Sequence, residues 1–261
     1  GKTYGEIWGF ETDRLFTHDD FTWDEQGNIT GYAPGVADQQ YLVDQYKQSG
    51  FHFLPGDVKY KDLNGDGQID DGRTNGVPTL DNHGDMTVIG NTTPRDQYGV
   101  RLDLSWRNFD LGVFFQGVGK RDLWGTGQLV IPGWHYGEAY YTHHMDYWTE
   151  DNTDAFYPRP WALNYQSANP NFKKQTRYLL NMAYCRLKNL TVGYTLPETL
   201  TRRAMIQRLR FYASFENLVT WDHLNNVPID PETRTATGDG GYIGRSYPFS
   251  REFSFGLQVT F

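Results

Sequence analysis

The sequence predicts an all-β protein: an antiparallel transmembrane β-barrel, to which this chain contributes a C-terminal segment of about six strands with long extracellular loops. Three observations predict this fold. Several segments alternate apolar and polar side chains, which gives a strand one apolar face and one wet face. Short and long connections between these segments alternate along the chain. Aromatic side chains gather at the predicted strand ends, where the two interfaces of a bilayer select them.

The clearest strand is the last one, 251–261. Its odd positions from Phe253 to Phe261 are all apolar, and its even positions from Glu252 to Thr260 are polar or small. Successive side chains of a strand point to opposite faces, so this strand has one face for an apolar environment and one for water. A bilayer or the core of a soluble sheet could cover the apolar face.

Two further strands, 98–106 and 108–117, alternate in the same way and adjoin at Arg107 and Asn108, which predicts a hairpin with a short turn. Its polar face carries Arg101, Asp103 and Asp110. The core of a soluble sandwich does not accept so much charge, whereas a water-filled lumen does.

The remaining predicted strands are 5–16, 183–195 and 208–219. Within 183–195 the alternation changes phase between Leu187 and Leu190, which predicts a β-bulge near Asn189. Cys185 is the only cysteine in the sequence, which excludes an internal disulfide and any zinc site built from cysteines.

The connections between these strands differ greatly in length. The turn after 98–106 and the link 196–207 are short, whereas 17–97, 118–182 and 220–250 are long. Compact soluble domains avoid structureless connections of such length, but outer-membrane barrels combine short periplasmic turns with long outer loops. We therefore expect the three long connections to be outer loops.

Composition and charge exclude several classes of function. The formal net charge of -8 argues against nucleic acid as a partner. The sequence contains no GxSxG, HExxH or Walker motif, so it does not predict an enzyme. No apolar stretch of roughly 18 residues predicts a transmembrane helix. The chain starts at Gly1 without an initiator methionine or a signal-peptide pattern, and we expect a fragment.

Seven segments resemble, in order, the C-terminal part of the SusC-like TonB-dependent outer-membrane transporters. They are GEIWGFETDRLF (5–16), GDVKYKDLNGDGQIDDG (56–72), VIGNTTPRDQYGVRLDLSWRNFDLGVFFQGVGKRD (88–122), WTEDNTDAFYPRP (148–160), AYCRLKNLTVGYTLPETL (183–200), RFYASFENLVTWDHLNNVPIDPET (210–233) and YPFSREFSFGLQVTF (247–261). Together they span nearly the whole chain.

The resemblance implies a barrel of about 22 strands in the bacterial outer membrane, with an N-terminal plug. It also implies a TonB box that contacts the energising complex of the inner membrane, and a SusD-like surface lipoprotein that lids the outer face. Such transporters import oligosaccharides or, in some members, peptides, and they are not enzymes. We expect the remaining N-terminal barrel, the plug and the TonB box to lie outside this chain.

The sharpest local motif is DLNGDGQIDDG at 62–72. It places oxygen-bearing side chains at alternate positions around the turn residue Gly67, as calcium-binding loops of the EF-hand type do. Arg73 stands where such loops have a bidentate glutamate. The motif predicts calcium as a cofactor, and the alternative is an acidic, solvated turn that binds no metal. The predicted ligands are Asp62, Asn64, Asp66, Gln68 and Asp70.

The loop 118–182 is rich in aromatic residues, whose faces stack on sugar rings. This density predicts glycan contact, a docking surface for the lid, or packing of the loop on itself. The substrate-binding candidates are Trp124, Trp134, Tyr136 and Trp148. We interpret His135, His143 and His144 as surface histidines rather than as a metal site, because neighbours in sequence point to different sides.

The competing hypothesis is a secreted, calcium-dependent β-sandwich that binds glycans. It predicts that Phe253, Phe255 and Leu257 pack against a second sheet. A secreted glycoside hydrolase is a third option, since a catalytic carboxylate pair could lie among the acidic residues, but no spacing singles out such a pair.

Overall fold

The computed structural model describes residues 1–46, 50–74, 76–134, 140–161, 169–224, 227–232, 243 and 249–261. These residues form an all-β structure of antiparallel sheets, as predicted. The strands are β1 (Glu6–Phe10), β2 (Thr12–Leu15), β3 (Phe21–Trp23), β4 (Ile29–Tyr32), β5 (Val58–Tyr60), β6 (Met86–Asn91), β7 (Arg95–Trp106), β8 (Phe109–Lys120), β9 (Asp122–Trp124), β10 (Leu179–Thr195), β11 (Arg208–His223) and β12 (Glu252–Thr260). The α-helices are α1 (Gln40–Tyr46) and α2 (Glu198–Thr201).

Five long strands form the main sheet in the order β12-β11-β10-β8-β7. Every pair of neighbours in it is antiparallel, and the short β9 pairs with the start of β10. Within the described part of the chain, the outer edges of β7 and β12 pair with no strand. The sheet is therefore open on both sides, and its closure into a barrel remains a prediction.

The register places the apolar side chains of all five strands on one face of the sheet. Leu104 of β7 lies opposite Leu111 of β8, which lies opposite Val192 of β10. Val192 in turn faces Ala213 of β11, which faces Phe255 of β12. This apolar face is exposed, with Phe255 at 79% of its full accessible surface.

The opposite face of the sheet is polar. Arg210 of β11 donates to both carboxylate oxygens of Asp110 of β8, with 2.9 Å between Nε and Oδ1. Asn189 and Thr191 of β10 hydrogen-bond with the hydroxyl of Ser214 across the strand pair. The charges that the sequence placed on this face are thus paired with partners on the same side.

The exposed apolar face contradicts the sandwich hypothesis. Phe253 and Leu257 are exposed like Phe255, and among the described residues no second sheet covers them. A sandwich would bury these side chains, because its two sheets pack with their apolar faces together.

A β-bulge interrupts β10, which confirms the phase change seen in the sequence. Its register shifts between Leu187 and Asn189 against both neighbouring strands, so that Lys188 is an extra residue relative to β8. The bulge keeps Leu187 and Leu190 on the same apolar face although their positions in the sequence differ in parity.

The prediction of a single membrane strand at 5–16 is wrong. This segment forms β1 and β2, which pair with β6 and β5 in separate two-stranded sheets. The physical reason is that Gly9 and Phe10 are adjacent and both buried, so the segment does not keep one apolar face. It belongs to a packed core rather than to the main sheet.

At the short turns, β7, β8, β10 and β11 match the predicted strands to within one residue, and they extend beyond them at the opposite end. β12 is one residue shorter than predicted at each end. The predicted ranges are 98–106, 108–117, 183–195, 208–219 and 251–261. β10 begins four residues earlier, at Leu179, and β11 continues to His223. The regions predicted as loops 17–97 and 118–182 contain β3 to β6, α1 and β9, and so they have structure of their own.

The described residues of 5–91 and 121–178 pack together into one body, which we call the loop domain. Its main core contains Leu42, Ile69 and Met86 from the first long connection and Ile131 and Phe172 from the second. The loop domain joins the main sheet at the start of β10, where Met182 is fully buried. Long ordered loops need a core of this kind, because structure without burial cannot offset the conformational entropy of ordering.

A buried polar network ties the two halves of the loop domain together. The Asn171 amide donates to Asp57 Oδ1 at 2.7 Å and accepts from the backbone N–H of Val58 at 2.8 Å. The Gln175 amide donates to the Tyr60 hydroxyl at 3.1 Å and to the Asn171 carbonyl at 2.6 Å. These buried side chains hydrogen-bond with one another, so the loss of one partner leaves buried polar atoms unpaired.

A second connection anchors the segment after β11 to the polar face of the sheet. Arg186 of β10 lies 2.9 Å from Asp230, and Lys188 at the bulge lies 2.9 Å from Glu232. The Arg186 side chain is only 3% exposed. Among the described residues, no helix has the length and apolar character needed to cross a membrane.

We predict that Arg186→Ala detaches the segment 227–232 from the sheet. The carboxylates of Asp230 and Glu232 are largely buried, and the substitution removes the Arg186 guanidinium that pairs with both. Breaking a buried ion pair costs about 3 kcal/mol or more. Hydrogen exchange or limited proteolysis of this segment should therefore become much faster.

Arg202→Ala is the matched control, because Arg202 pairs with Glu198 at an exposed site. Exposed pairs of this kind contribute little to stability. Equal exchange rates in the two variants would contradict the anchoring role of Arg186.

Candidate functional site

The loop domain contains a half-open groove with a volume of about 410 Å³. The segment after β9, the segment 140–147 and the segment 157–161 form its sides, and Phe172 adds a further wall. Its lining is mostly apolar and aromatic, as in pockets for small organic ligands. The aromatic lining residues are Tyr140, Tyr147, Tyr157, Trp161 and Phe172.

His144 is the most strongly constrained polar group of the groove. It ends a single helical turn, Thr142–His144, and its side chain is enclosed so that the residue is 2% exposed. Its ring stands edge-on to Tyr157, with 5.3 Å between the ring centroids. The backbone N–H of Tyr141 donates to its Nδ1 at 3.2 Å.

The protonation state of His144 follows from this environment. Burial and, to a smaller extent, the neighbouring His143 lower the pKa of His144 to about 4, although the nearby carbonyl of Leu129 opposes this shift. The imidazole is thus neutral at physiological pH. Because Nδ1 accepts a hydrogen bond, the single ring proton lies on Nε2. Nε2 is buried and has no hydrogen-bond partner within the described structure.

Arg159 is a charged residue of the groove lining. Its Nη1 donates to the Pro55 carbonyl at 3.0 Å, and its guanidinium lies 5.7 Å from the ring of Trp148 and 5.8 Å from that of Trp161. Cation–π contacts on two sides and a backbone acceptor hold this charge in place.

The predicted substrate-binding tryptophans are not among the residues that line the groove. Trp124, Trp134 and Trp148 are half-buried and pack against the core of the loop domain. Trp148 in addition covers Gly56, where a Cβ would come within 2.3 Å of the indole. Tyr136, like His135, lies outside the described residues. The aromatic-rich loop 118–182 supplies the aromatic side chains of the groove, but its composition did not distinguish which of its residues line it.

The predicted metal ligands divide into two sets. The Asp62 carboxylate accepts from the N–H groups of Gly65 and Gly67 at 2.6 and 2.8 Å. Asn64 and Asp66 each accept from the N–H two residues later. These hydrogen bonds hold the backbone in a tight turn, which is the conformation that a cation-binding loop needs.

The other two predicted ligands pair with Arg73 instead. Gln68 Oε1 accepts from Arg73 at 2.6 Å, and the Asp70 carboxylate lies 3.3 Å from its Nε. Across the described parts of the chain, no group of three or more histidine, cysteine, aspartate or glutamate side chains is arranged to hold a metal ion. The donor set therefore fits calcium only in part, and the calcium site stays a prediction.

The sequence analysis did not predict the buried hydrogen-bond network around Asp57 and Asn171, which holds residues of the groove in position. The Trp161 indole N–H donates to Asp57 Oδ1 at 2.7 Å, and Asn171 precedes the groove residue Phe172. Complete burial raises the pKa of Asp57 to about 7, against the hydrogen bonds from Asn171 and Trp161. Isolated polar residues carry no pattern by which a sequence could reveal such a network.

Comparison with known proteins yields relatives of one kind. TonB-dependent receptor P3 of Formosa agariphila is 32% identical over 214 residues, which are 79% of this chain and 19% of that protein. TonB-dependent receptor P26 of the same organism is 26% identical over 249 residues, or 92% of this chain and 22% of that protein. The chain thus spans about a fifth of the length of the curated relatives it matches. No family model matches the sequence.

Solved structures share the fold. The structure of the RagAB peptide transporter aligns with a TM-score of 0.56 at 20% identity, over 99% of this chain and 23% of that chain. The RagAB peptide importer in the 'closed-closed' state aligns with a TM-score of 0.55 at 21% identity, over 99% of this chain and 23% of that chain.

We predict that Arg73→Glu increases calcium affinity at the loop 62–73 by at least about tenfold. The substitution supplies the missing bidentate carboxylate and releases Gln68 and Asp70 from the guanidinium. Calorimetric titration with calcium and calcium-dependent protection of this loop from proteolysis would measure the effect.

Asp62→Asn in the Arg73→Glu background is the matched control, and it should reduce the gain because it removes a charge from the first position of the loop. Absence of calcium binding in both the parent chain and Arg73→Glu would show that the loop is a solvated turn.

Proposed function

Because the chain is homologous to TonB-dependent receptors over most of its length, we propose that it forms barrel wall and outer loops of an outer-membrane importer. In this proposal the five long strands cross the outer membrane of a bacterium, and the loop domain lies outside it. Uptake is energised through TonB. The curated relatives are named receptors, and the proposed role is transport rather than catalysis.

The exposed apolar face of the main sheet carries this proposal. Soluble monomers rarely expose large contiguous apolar patches, and here one extends across five strands. A lipid bilayer is the environment in which such a face is stable. A tilted transmembrane strand needs about 9–11 residues. The strands of the main sheet have 12 residues in β7 and in β8, 17 in β10, 16 in β11 and 9 in β12.

Aromatic side chains support a membrane position for the sheet. Near the short turns, Trp106, Phe109 and Tyr194 lie on the apolar face, and the rings of Phe109 and Tyr194 are 4.7 Å apart. Tyr98 and Trp221 lie at the other end. Two rows of this kind match the two interfaces of a bilayer. Tyr184, near the same end of β10, is buried on the opposite face of the sheet.

The open edges of the sheet require further strands. Five strands cannot enclose a lumen, since small barrels need about eight. We propose that the remaining N-terminal barrel and the plug, with the TonB contact, complete the protein outside this chain. A SusD-like surface lipoprotein would cover the loop domain, and the substrate would be an oligosaccharide or a peptide. RagAB, whose fold the chain shares, is a peptide transporter.

We predict that Leu257→Arg reduces the stability of the inserted protein by about 2–4 kcal/mol, because a charge at the lipid face near the bilayer midplane is costly. Gln258→Arg should cost little, since the neighbouring side chain faces water. Urea unfolding of the complete protein in lipid vesicles measures both values. Equal costs at the two sites would refute the assignment of faces.

The importer role predicts energy-dependent uptake. Cells that carry the complete transporter should lose uptake of its substrate when TonB is deleted, and the protein should still assemble in the outer membrane. Uptake that continues unchanged without TonB would contradict the proposed function.

A further inference from the structure

The connection after β11 does not stay clear of the main sheet. Its segment 227–232 returns over the polar face, where Arg186 Nη2 donates to both carboxylate oxygens of Asp230 at 2.9 Å. Lys188 Nζ lies 2.9 Å from Glu232 Oε2, and Arg186 Nη1 lies 3.2 Å from Glu232 Oε1. The two cations belong to β10 and the two carboxylates to the segment, so opposite charges hold the segment against the sheet.

The strand register shows at what depth this contact lies. Cys185 of β10 pairs with Trp221, which belongs with Tyr98 to the aromatic row at the outer end of the sheet. Arg186 and Lys188 follow Cys185 in the direction of the short turns. The segment therefore reaches past the outer aromatic row, on the face of the sheet that is polar.

We propose that 227–232 is a re-entrant strap that narrows the mouth of the barrel, and that its ion pairs with Arg186 and Lys188 form a latch that can open. This inference rests on the proposed function, because the polar face encloses a lumen only if further strands close the barrel. In a closed barrel, a segment at this depth on the polar face occupies part of the lumen.

The two ends of the strap are held by different kinds of contact. Val227 is buried in the main core of the loop domain together with Leu224, and Ile229 packs against the same core. Asp230 and Glu232 are held instead by the charges of the wall. Apolar burial fixes the start of the strap to the loop domain, whereas the other end is released when the ion pairs open.

The latch contains an imperfect ion pair. Arg186 Nη1 and Glu232 Oε1 are buried, and neither makes a hydrogen bond within the described structure, although the two atoms are 3.2 Å apart. A buried ion pair offsets the cost of desolvation only when its geometry is good and its remaining polar atoms are hydrogen-bonded. This pair leaves part of that cost uncompensated, so water or a dissolved ion can compete with it.

The same connection contacts the latch a second time, at Phe249. The ring of Phe249 lies 5.3 Å from the Arg186 guanidinium and 4.6 Å from Lys188 Nζ. These cation–π contacts engage the same two charges that the strap neutralises. Release of the connection would thus expose two cations on the wall, and the mouth would become both wider and more positive.

Labelling of a thiol on the lumenal wall tests the proposal. Thr191 lies on the polar face of β10, further toward the short turns than Lys188, and lines an open cleft beside Asp110 and Arg210. The test protein is the complete transporter with Thr191→Cys and with its native cysteines replaced by alanine. A maleimide on a long polyethylene glycol chain, added to intact cells, should react slowly with this thiol while the strap is latched.

Charge reversal should open the latch. Glu232→Lys puts a third cation beside Arg186 and Lys188, and it should speed labelling by the bulky reagent at least about tenfold. Lys188→Glu added to Glu232→Lys restores a pair of opposite charges and should return the rate to within about twofold of the parent. N-ethylmaleimide, which is small, should react at the same rate in all of these proteins, because the thiol itself is unchanged.

Two further variants complete the design. Glu198→Lys reverses a charge in the exposed Glu198–Arg202 pair of the short link and should leave labelling unchanged. Lys188→Ala removes one cation of the latch without adding a charge, and it should also speed labelling. It therefore decides the question if Glu232→Lys does not assemble in the membrane.

Equal labelling rates in the parent and in both Glu232→Lys and Lys188→Ala would overturn the inference, as would faster labelling that Lys188→Glu fails to reverse. A rise that N-ethylmaleimide shows equally would trace to the thiol and would also overturn it. The proposed importer would stand in each case if uptake still depends on TonB. Uptake that is independent of TonB would contradict the importer, whereas a latch that responds to charge would still be observed in any closed barrel.

Discussion

The register between the five long strands is the constraint on which the rest of the structure depends. Cross-strand partners share a face, so Leu104, Leu111 and Val192 stay together on one side of the sheet. A slip of one residue would exchange the two faces of a strand and bring Asp103 or Asp110 to the apolar side. The Arg210–Asp110 pair spans β8 and β11 with β10 between them, and it holds three strands in this register.

The loop domain obeys a different constraint, because it is buried around polar groups as well as apolar ones. Asp57, Asn171 and Gln175 each use several hydrogen-bonding atoms inside the core. Such networks allow few alternative arrangements, since each alternative leaves a polar atom unpaired. Trp161 and Phe172 extend from this network into the groove, so residues outside the groove hold two of its walls in position.

The sequence was sufficient to predict the main sheet and the family resemblance, which the curated relatives confirm. Strict alternation over many residues has few structural explanations, and the bulge at Lys188 was visible as its change of phase. The segment 5–16 was misjudged because a short alternating stretch fits a packed hairpin equally well. The spacing of Asp62, Asn64 and Asp66 predicted a calcium site, which stays a prediction, and the competition of Arg73 for Gln68 and Asp70 depends on side-chain geometry that the sequence does not show. Trp148 and Trp161 both lie in the aromatic-rich loop, and only their packing shows which one faces the groove.

The hydrogen bond between Asp57 and Asn171 joins residues that are 114 positions apart. The main sheet, in contrast, contains hairpins such as β7–β8 that form from neighbouring residues. Contacts between distant residues slow folding, because the chain loses the entropy of a long closed loop before the contact stabilises it. We therefore expect the hairpins to form early and the loop domain to become native last. A newly inserted chain would then pass through a stage in which its strands are assembled while its surface segments are still unstructured and open to proteases.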